Sequence, residues 1–151
     1  MDDGKPVRLL FSGDLGSGHQ PLLPSPDGPV GVDHVILEST YGDRSHPDGS
    51  IMDELGPPLA RLAARGGVAV VPVFAVGRAQ TVLHAIARLK VNGDLPTGLP
   101  VYLDSPMAID ATRLYHAHRD EHRLSPEECE GMCHAAKIVN KVEDSKALSR
   151  S

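Results

Sequence analysis

The sequence predicts an α/β fold in which a mostly parallel sheet is flanked by helices. Short apolar segments alternate with stretches whose apolar residues recur at helical spacing, which is typical of such layers. The strongest segment, residues 68–74 (VAVVPVF), is apolar almost throughout, and strands of this kind are usually covered on both faces. Loops that carry glycine or carboxylate residues follow several strands, and ligands of open α/β sheets bind at that edge.

The predicted strands lie between clear turn and loop signals. A glycine-rich turn at residues 12–18 follows the first strand, and a loop rich in proline and glycine at residues 20–33 precedes the second. The predicted strands are residues 7–11, 35–37, 68–74, 101–103 and 138–142. The residues of the strand-end loops that could face a ligand are Asp14, Glu38, Gly77 and Asp104.

The first predicted helix contains two prolines. Leu55, Leu59 and Leu62 recur at helical spacing there, and Pro57 and Pro58 lie inside the pattern. Proline is tolerated in the first turn of a helix and disrupts its interior. We therefore expect this helix to begin near Pro57 or to break there, and to end at the glycine pair that follows.

The later helices are predicted from their starting signals. One helix follows Gly77 and has a single apolar face. Ser105 and Ser125 each precede a proline, which predicts a capping side chain at the start of a helix, and Ser125 also fits a capping box with Glu128. A last helical turn is expected from Ser145 onward.

Composition limits the classes of function. The net charge of −5 and an aromatic content of 3% argue against a non-specific nucleic-acid binder that works through basic patches and stacked bases. They leave room for an enzyme whose metal ions supply local positive charge. No apolar run is long enough to span a bilayer, and the acidic start has no secretory signal, so we expect a cytoplasmic protein.

Two carboxylates at strand ends are candidates for chemistry. Asp14 lies in a turn of small residues after a buried strand, where its oxygens suit zinc or a harder divalent ion. The alternative is a turn aspartate that bonds its own backbone. Glu38 follows the next strand and could serve as a general acid or base, or could be an ordinary surface glutamate. The local sequence leaves both alternatives open.

Cysteine and histidine residues in the second half suggest a weaker metal site. Cys129 and Cys133 are four residues apart, and His134 follows them directly. Two thiols and one imidazole do not complete a tetrahedral zinc site, and reduced helical thiols in a cytosolic protein are the alternative. Residues 116–122 (HAHRDEH) resemble a zinc cluster, with His118 and His122 able to share a helical face, but a solvated helix end is the favoured interpretation.

Two further residues are candidates for substrate contacts. Arg78 opens a helix after a strand, where backbone donors attract phosphate and the guanidinium adds a charged fork. A plain surface cation is equally compatible with this pattern. Ser105 fits a helix cap better than a nucleophile, because no Gly-x-Ser-x-Gly elbow surrounds it.

Five segments in order resemble one known family. They are FSGDLG (residues 11–16), LESTYGDRSHP (37–47), PVFAVGRAQ (72–80), VYLDSPMA (101–108) and VEDSKAL (142–148). Together they resemble the β-CASP family of metallo-β-lactamase-fold RNA nucleases, which includes the cleavage and polyadenylation endonuclease and ribonuclease J. The resemblance implies a partial metallo-β-lactamase segment with a remnant of the αββα fold at residues 1–40, and an incomplete β-CASP domain at 41–151.

The resemblance also implies roles for individual residues. Asp14 corresponds to the metal-bridging aspartate of a two-zinc centre, and Glu38 to an acidic residue of the β-CASP signature near the active site. Both are therefore expected to be catalytic. Substrate contacts are expected from the ESTYG segment and from two later positions. These residues are Ser39, Thr40, Tyr41, Arg78 and Ser105.

The sequence departs from the family pattern at the metal ligands. The family's His-x-His-x-Asp-His cluster precedes the FSGD segment, whereas only 13 residues precede Asp14 here and none is histidine. We therefore expect a metal-dependent RNA hydrolase that is inactive as this isolated chain, with RNA as substrate and a second copy or a complementing chain as a possible partner. The alternatives are a non-catalytic module that binds RNA or protein, and a truncated gene product. Exposed apolar surface and marginal stability are expected where the sheet is incomplete.

Overall fold

A computed structural model describes residues 6–15, 20–45, 49–139 and 142–148. The chain divides into two compact units, Met1–Asp48 and Gly49–Ser151. Helices and small parallel sheets confirm the α/β prediction. The strands are β1 (Leu9–Phe11), β2 (His34–Ile36), β3 (Tyr102–Leu103) and β4 (Lys137–Ile138). The helices are α1 (Ile51–Ala64), α2 (Arg78–Asn92), α3 (Pro106–Ala117), α4 (Pro126–Cys133) and α5 (Val142–Leu148), with a 3-10 turn at Arg119–Glu121.

The first unit is built on the parallel pair β1 and β2. Leu10 stands opposite Val35 in the register. Before the ladder begins, the Arg8 backbone N–H donates to the Asp33 carboxylate at 2.8 Å, and the Arg8 guanidinium donates to the Gly31 carbonyl at 3.0 Å. These bonds fix the relative position of the two strands at the start of the ladder. Because the strands are parallel, the loops that follow them start from the same sheet edge.

Exposed apolar side chains surround this pair, which confirms the expectation of uncovered apolar surface. Phe11 and Leu37 are each 69% exposed although they lie in or beside strands. A two-stranded sheet does not bury the side chains on its own faces, because other elements must pack against it to do so. These side chains therefore stay in contact with water. The other exposed apolar side chains of the two strands and their flanks are Val7, Leu9, Val35 and Ile36.

Helix α1 corrects the predicted break at the proline pair. It begins at Ile51, six residues before Pro57, and continues past Pro58. A capping box starts the helix: the Ser50 side chain accepts from the Asp53 backbone N–H, and the Asp53 carboxylate accepts from the Ser50 backbone N–H. The cap and the packing of α1 against α2 outweigh the lost hydrogen bonds of the prolines.

Helix α2 forms the centre of the second unit and packs against α1, α3 and α4. Its buried face begins at Ala79 and extends to Leu89, as its apolar spacing predicted. Ile86 and Leu89 pack with Leu95 into a buried cluster. The partly buried hydrophobic residues that surround this cluster are Met52, Leu59, Ala60, Val82, Leu99 and Val101.

The prediction of a buried strand at residues 68–74 was wrong. The segment forms neither a strand nor a helix, and Val70 and Phe74 are 87% and 84% exposed. A strand exists only when a neighbour accepts and donates its ladder hydrogen bonds. Among the described residues, β3 pairs only with β4 and β1 only with β2, so no strand pairs with this segment. The predicted larger sheet is therefore two separate two-stranded pieces.

The later elements agree with most of their predicted signals. Ser105 and Ser125 cap α3 and α4, and the capping box between Ser125 and Glu128 is present. The predicted last strand is shorter than expected, and β4 ends at Ile138. Helix α5 begins at Val142 rather than at Ser145. Residues 140–141 and part of the predicted turn at 12–18 lie outside the described residues. In the described part of the chain, every helix is too short or too polar to cross a bilayer.

Candidate functional site at the edge of the first strand pair

Asp14 is exposed in a tight turn directly after β1. Gly13 adopts a positive φ of 51°, which favours glycine, and the Leu15 backbone N–H closes the turn on the Ser12 carbonyl at 3.2 Å. The turn therefore presents the Asp14 side chain to solvent. This placement is compatible with a metal ligand and with a turn aspartate, the two alternatives that the sequence left open.

Glu38 lies two residues after β2 and is also exposed. Its Oε2 accepts a hydrogen bond from the Thr40 backbone N–H at 3.1 Å. The backbone and side-chain hydrogen bonds from Thr40 hold the pKa of the Glu38 carboxyl below its usual range. A lowered pKa keeps this group ionised at neutral pH, which suits a base or an acceptor and does not suit a general acid.

Asp14 and Glu38 follow the carboxyl ends of two paired parallel strands. The Ser12 backbone N–H donates to the Ile36 carbonyl at 2.9 Å, and the Ser12 hydroxyl accepts from the Glu38 backbone N–H at 3.1 Å. Ser12, the first residue after β1, therefore joins its loop to the end of β2 and to Glu38. The structure brings these two predicted catalytic carboxylates to one edge of one small sheet.

The titration of Glu38 can be measured directly. Because its folded pKa is lowered, we expect its carboxyl to titrate below the reference value of 4.5 in a carbon-detected NMR titration. Its hydrogen bonds therefore stabilise the loop above the unfolded pKa, and this contribution is lost as the pH falls. Thr40→Val removes the hydroxyl and keeps the backbone donor, so the pKa should move part of the way back. An unchanged pKa in that variant, or a wild-type pKa above 4.5, would contradict the assigned cause.

Ser39, Thr40 and Tyr41 form the exposed turn that follows Glu38. The Gly42 backbone N–H donates to the Ser39 carbonyl at 3.0 Å. The Arg44 guanidinium lies 5.7 Å from the centroid of the Tyr41 ring, within the range of a cation–π contact. The Arg44 guanidinium also pairs with the Asp43 carboxylate at 3.2 Å. An aromatic ring and a cation in the segment that follows Glu38 are groups that can contact a nucleotide base and a phosphate.

Arg78 and Ser105 belong to the second unit. Arg78 is exposed at the first position of α2, but its backbone N–H already donates to Val76, and the Ala79 N–H donates to Phe74. The Gly77 N–H donates to the Gln80 side chain at 2.7 Å. The expectation that backbone donors at this helix start would hold a phosphate is therefore corrected, and the Arg78 guanidinium remains the candidate group.

Ser105 acts as a helix cap, as one of its two interpretations predicted. Its hydroxyl oxygen accepts from the Ala108 backbone N–H at 3.3 Å. The neighbouring Asp104 carboxylate accepts from the Ser145 hydroxyl at 2.6 Å, which joins the loop after β3 to α5. No sequence signal indicated this contact between residues 41 positions apart. The roles of Arg78 and Ser105 in substrate binding stay predictions.

The histidines of residues 116–122 do not form the zinc cluster that they resemble. Helix α3 ends at Ala117, so His118 and His122 do not share a helical face. The His122 ring stacks on Tyr115, with ring centroids 5.9 Å apart. One of its ring nitrogens contacts the Tyr115 carbonyl, and the other accepts from the Leu124 backbone N–H. His122 is therefore a structural residue.

His134 does not join the two cysteines, a grouping that the sequence suggested only as a weak alternative to reduced helical thiols. His134 pairs with Glu130 instead. The structure brings His116 to Cys129 and Cys133, and one ligand atom from each lies within 4.8 Å of the others. Sequence spacing identified the two cysteines. It missed His116, because only the packing of α3 on α4 brings that residue close.

Comparison with known proteins identifies the family. Residues 79–151 match the family model of the Beta-Casp domain. Across 113 residues, or 74% of the chain, the sequence is 40% identical to a protein named as a ribonuclease in Thermus thermophilus. The chain belongs to the β-CASP family. The alignment with the Thermus protein is longer than the match to the family model.

Two other relatives come from different domains of life. A probable RNase of Methanocaldococcus jannaschii is 36% identical over 75% of the chain. Subunit 3 of the cleavage and polyadenylation specificity factor of Dictyostelium discoideum is 29% identical over 74% of it. This β-CASP chain spans about a quarter of the length of the Thermus and Methanocaldococcus relatives, and 15% of the Dictyostelium subunit. The predicted resemblance to RNA nucleases of this family is confirmed.

Proposed function

We propose that this β-CASP chain is part of a metal-dependent hydrolase that cleaves RNA phosphodiester bonds in RNA processing or decay. The observation that carries the proposal is the 40% identity to a relative named as a ribonuclease, over three quarters of the chain. The loop that contains Glu38 supports it, because the same short segment carries an ionised carboxylate, an aromatic ring and a guanidinium. We further propose that residues 1–40 are a metallo-β-lactamase-type segment and that the protein acts in the cytoplasm.

Asp14 is the proposed metal ligand, but its surroundings do not fit a two-zinc centre. Among the described residues, the cluster of His116 and the two cysteines is the one group of three potential ligands that come together, and Asp14 is not in it. One carboxylate does not hold two zinc ions. We therefore propose that the isolated chain does not cleave RNA, and that a second copy or a complementing chain would have to supply ligands.

The proposed roles of the candidate residues, those of each unit taken by themselves, follow from their chemistry. Glu38 is ionised, so it accepts protons or hydrogen bonds and does not donate them. Ser39 and Thr40 provide hydroxyl groups, and Tyr41 provides a ring on which a base can stack. Arg78 is proposed to contact a phosphate with its guanidinium, while Ser105 combines its capping role with a position at the end of β3.

A non-catalytic module that binds RNA or a protein is the second candidate function. Two observations favour it. Asp14 has too few neighbouring ligands among the described residues, and residues 68–76 carry exposed apolar side chains. Such surface on a soluble domain often marks a binding site. Binding of this kind needs no metal, so it is compatible with a chain that does not cleave RNA.

A chimera tests the nuclease proposal. The segment of the Thermus ribonuclease that corresponds to this whole chain is replaced by this chain, so that Asp14 and Asp27 are included, and cleavage of a labelled single-stranded RNA is measured with zinc present. We expect the chimera to cleave, and we expect Asp14→Asn or Glu38→Gln to reduce the rate at least about 100-fold, since even groups that only orient metal ligands are worth about 10- to 100-fold. Asp27→Asn, an exposed carboxylate between the strands, is the matched control and should leave the rate unchanged.

The isolated chain provides the contrasting measurement. We expect no cleavage above the blank, with or without zinc. A folded but inactive chimera, or one in which Asp14→Asn and Asp27→Asn behave alike, would overturn the nuclease proposal. RNA binding by the isolated chain that weakens with added salt, together with an inactive chimera, would establish the non-catalytic module instead.

A further inference from the structure

We propose a second metal site, in which His116, Cys129 and Cys133 of the second unit hold one zinc ion between α3 and α4; none of the three is among the proposed RNA-cleaving residues. A ring nitrogen of His116 and the two Sγ atoms lie within 4.8 Å of one another. Around one tetrahedral zinc, such ligand atoms are about 3.3–3.8 Å apart. A closure of about 1 Å would therefore complete the three bonds, and side-chain rotation can supply it.

The two helices fix the cluster through ordinary packing. Cys129 and Cys133 are four residues apart in α4, so their side chains project from the same face of that helix. This face lies against α3, where the Cys129 thiol contacts the Tyr115 carbonyl and the Cys133 thiol contacts the Thr112 carbonyl, each at 3.9 Å. His116 is in the last turn of α3, next to those carbonyls.

The chemistry of the ligands favours zinc over harder ions. Two thiolates and one imidazole match the preference of zinc, whereas magnesium and calcium require oxygen ligands. Cys129 is fully buried and Cys133 is partly buried, while His116 is exposed at the rim. An ion can therefore enter from the side of His116 and come to rest against the buried sulfurs.

Glu130 is the candidate for a fourth ligand, but its carboxylate has to move first, because it is not in the group of ligand atoms that lie within 4.8 Å of one another. It lies between the two cysteines in α4, and its Oε2 is 3.9 Å from Nδ1 of His116. A carboxylate oxygen is an accepted zinc ligand, and water could take the same position. With Glu130 bound, the ligand set would be one nitrogen, two sulfurs and one oxygen, and the site would clamp the end of α3 to α4.

Arg119 is the group that opposes an ion at this site. One of its guanidinium nitrogens lies 3.0 Å from both ring nitrogens of His116 and 3.3 Å from the Glu130 carboxylate. It must move aside before His116 can bind a cation, and its positive charge repels that cation. Replacing Arg119 with glutamine should therefore strengthen zinc binding.

Binding also requires the release of protons. An ordinary cysteine thiol is mostly protonated at neutral pH before an ion arrives. Zinc binds the thiolate, and each cysteine that coordinates it gives its proton to solvent. The apparent affinity should therefore rise steeply with pH across the neutral range.

The test uses the full 151-residue chain, reduced and free of metal. Cobalt chloride is added first, and zinc chloride is then used to displace it. We expect one equivalent of cobalt to produce a thiolate-to-cobalt charge-transfer band and the visible bands of tetrahedral coordination, and zinc to remove both. Zinc should also raise the midpoint of thermal unfolding, because it binds the folded chain preferentially.

Variants distinguish cobalt bound at this site from cobalt bound elsewhere on the chain. His116→Gln and Cys133→Ser should each weaken cobalt binding at least about 100-fold, more than the loss of an outer-shell group. His134→Gln is the matched control, an exposed histidine beside the same helix, and should leave binding unchanged. Asp14→Asn should also bind normally, which separates this site from the proposed nuclease centre.

The outcomes that would overturn the site are specific. They are the absence of the charge-transfer band, equal binding by wild type and His116→Gln, or an equal loss in His134→Gln. If Cys133→Ser does not fold, as judged by circular dichroism, His116→Gln decides the question, because its imidazole is exposed and contributes little to the core.

Discussion

Replacement of Gln80 by leucine is expected to lower the free energy of unfolding by about 2–4 kcal/mol. Gln80 is completely buried, and both the oxygen and the nitrogen of its side-chain amide make hydrogen bonds. Its Oε1 accepts from the Gly77 backbone N–H, and its Nε2 donates to the Ala75 carbonyl, the Ala108 carbonyl and the Thr112 hydroxyl. These bonds join the start of α2 to α3.

Leucine has a similar volume, so this substitution isolates the hydrogen bonds from the packing. It leaves the Gly77 N–H and the Ala75 carbonyl, both partly buried, without their side-chain partner, and the loss of a partner costs up to about 1–3 kcal/mol for each such group. Urea unfolding followed by circular dichroism measures the loss. Asn92→Leu, at the exposed end of the same helix, is the control and should change stability by less than about 0.5 kcal/mol. A comparable effect in both variants would contradict the assigned role.

Truncation of Leu89 to alanine is expected to cost about 2–4 kcal/mol. Leu89 is 4% exposed and lies in the buried cluster with Ile86 and Leu95. Its methyl groups also fill the space over Gly56 of α1, where a Cβ would lie 3.1 Å from Cδ2. The variant would therefore leave a cavity in the interface between α1 and α2.

Val91 provides the matched control for this prediction. It is in the same helix and is 83% exposed, so Val91→Ala removes apolar atoms without opening a cavity. We expect its effect on urea unfolding to stay within about 0.5 kcal/mol. If Leu89→Ala and Val91→Ala were equally stable, the packing of α1 on α2 would not hold in solution.

The sequence predicted the features of this fold that depend on neighbouring residues. Ser105 and Ser125 cap helices as expected, and the apolar spacing of α2 identified its buried face, because these signals act within a few residues. The same local rule failed at Pro57, where the cap at Ser50 and the packing on α2 maintain a helix that proline propensity alone would break. Tertiary contacts determine whether a helix continues through such a position, and the spacing of residues along the sequence does not predict these contacts.

Predictions that depend on distant partners were less successful. Residues 68–74 have the composition of a buried strand, yet a strand needs a neighbour, and no described residues pair with them. The candidate site shows both outcomes. The edge with Asp14 and Glu38 followed from the rule for parallel strands, whereas His116 joins the cysteines through a contact between helices that no motif records.

The short pairing of β1 with β2 limits how firmly the two carboxylates are held. Only three residues from each strand form the ladder, with the bonds of Ser12 and Arg8 at its ends. Opening so small a unit costs much less than global unfolding, so it can fray while the helices stay intact. Any ligand that bridges Asp14 and Glu38 would then bind only those molecules in which β1 and β2 are paired. Part of its binding energy would stabilise that pairing and would not appear as affinity.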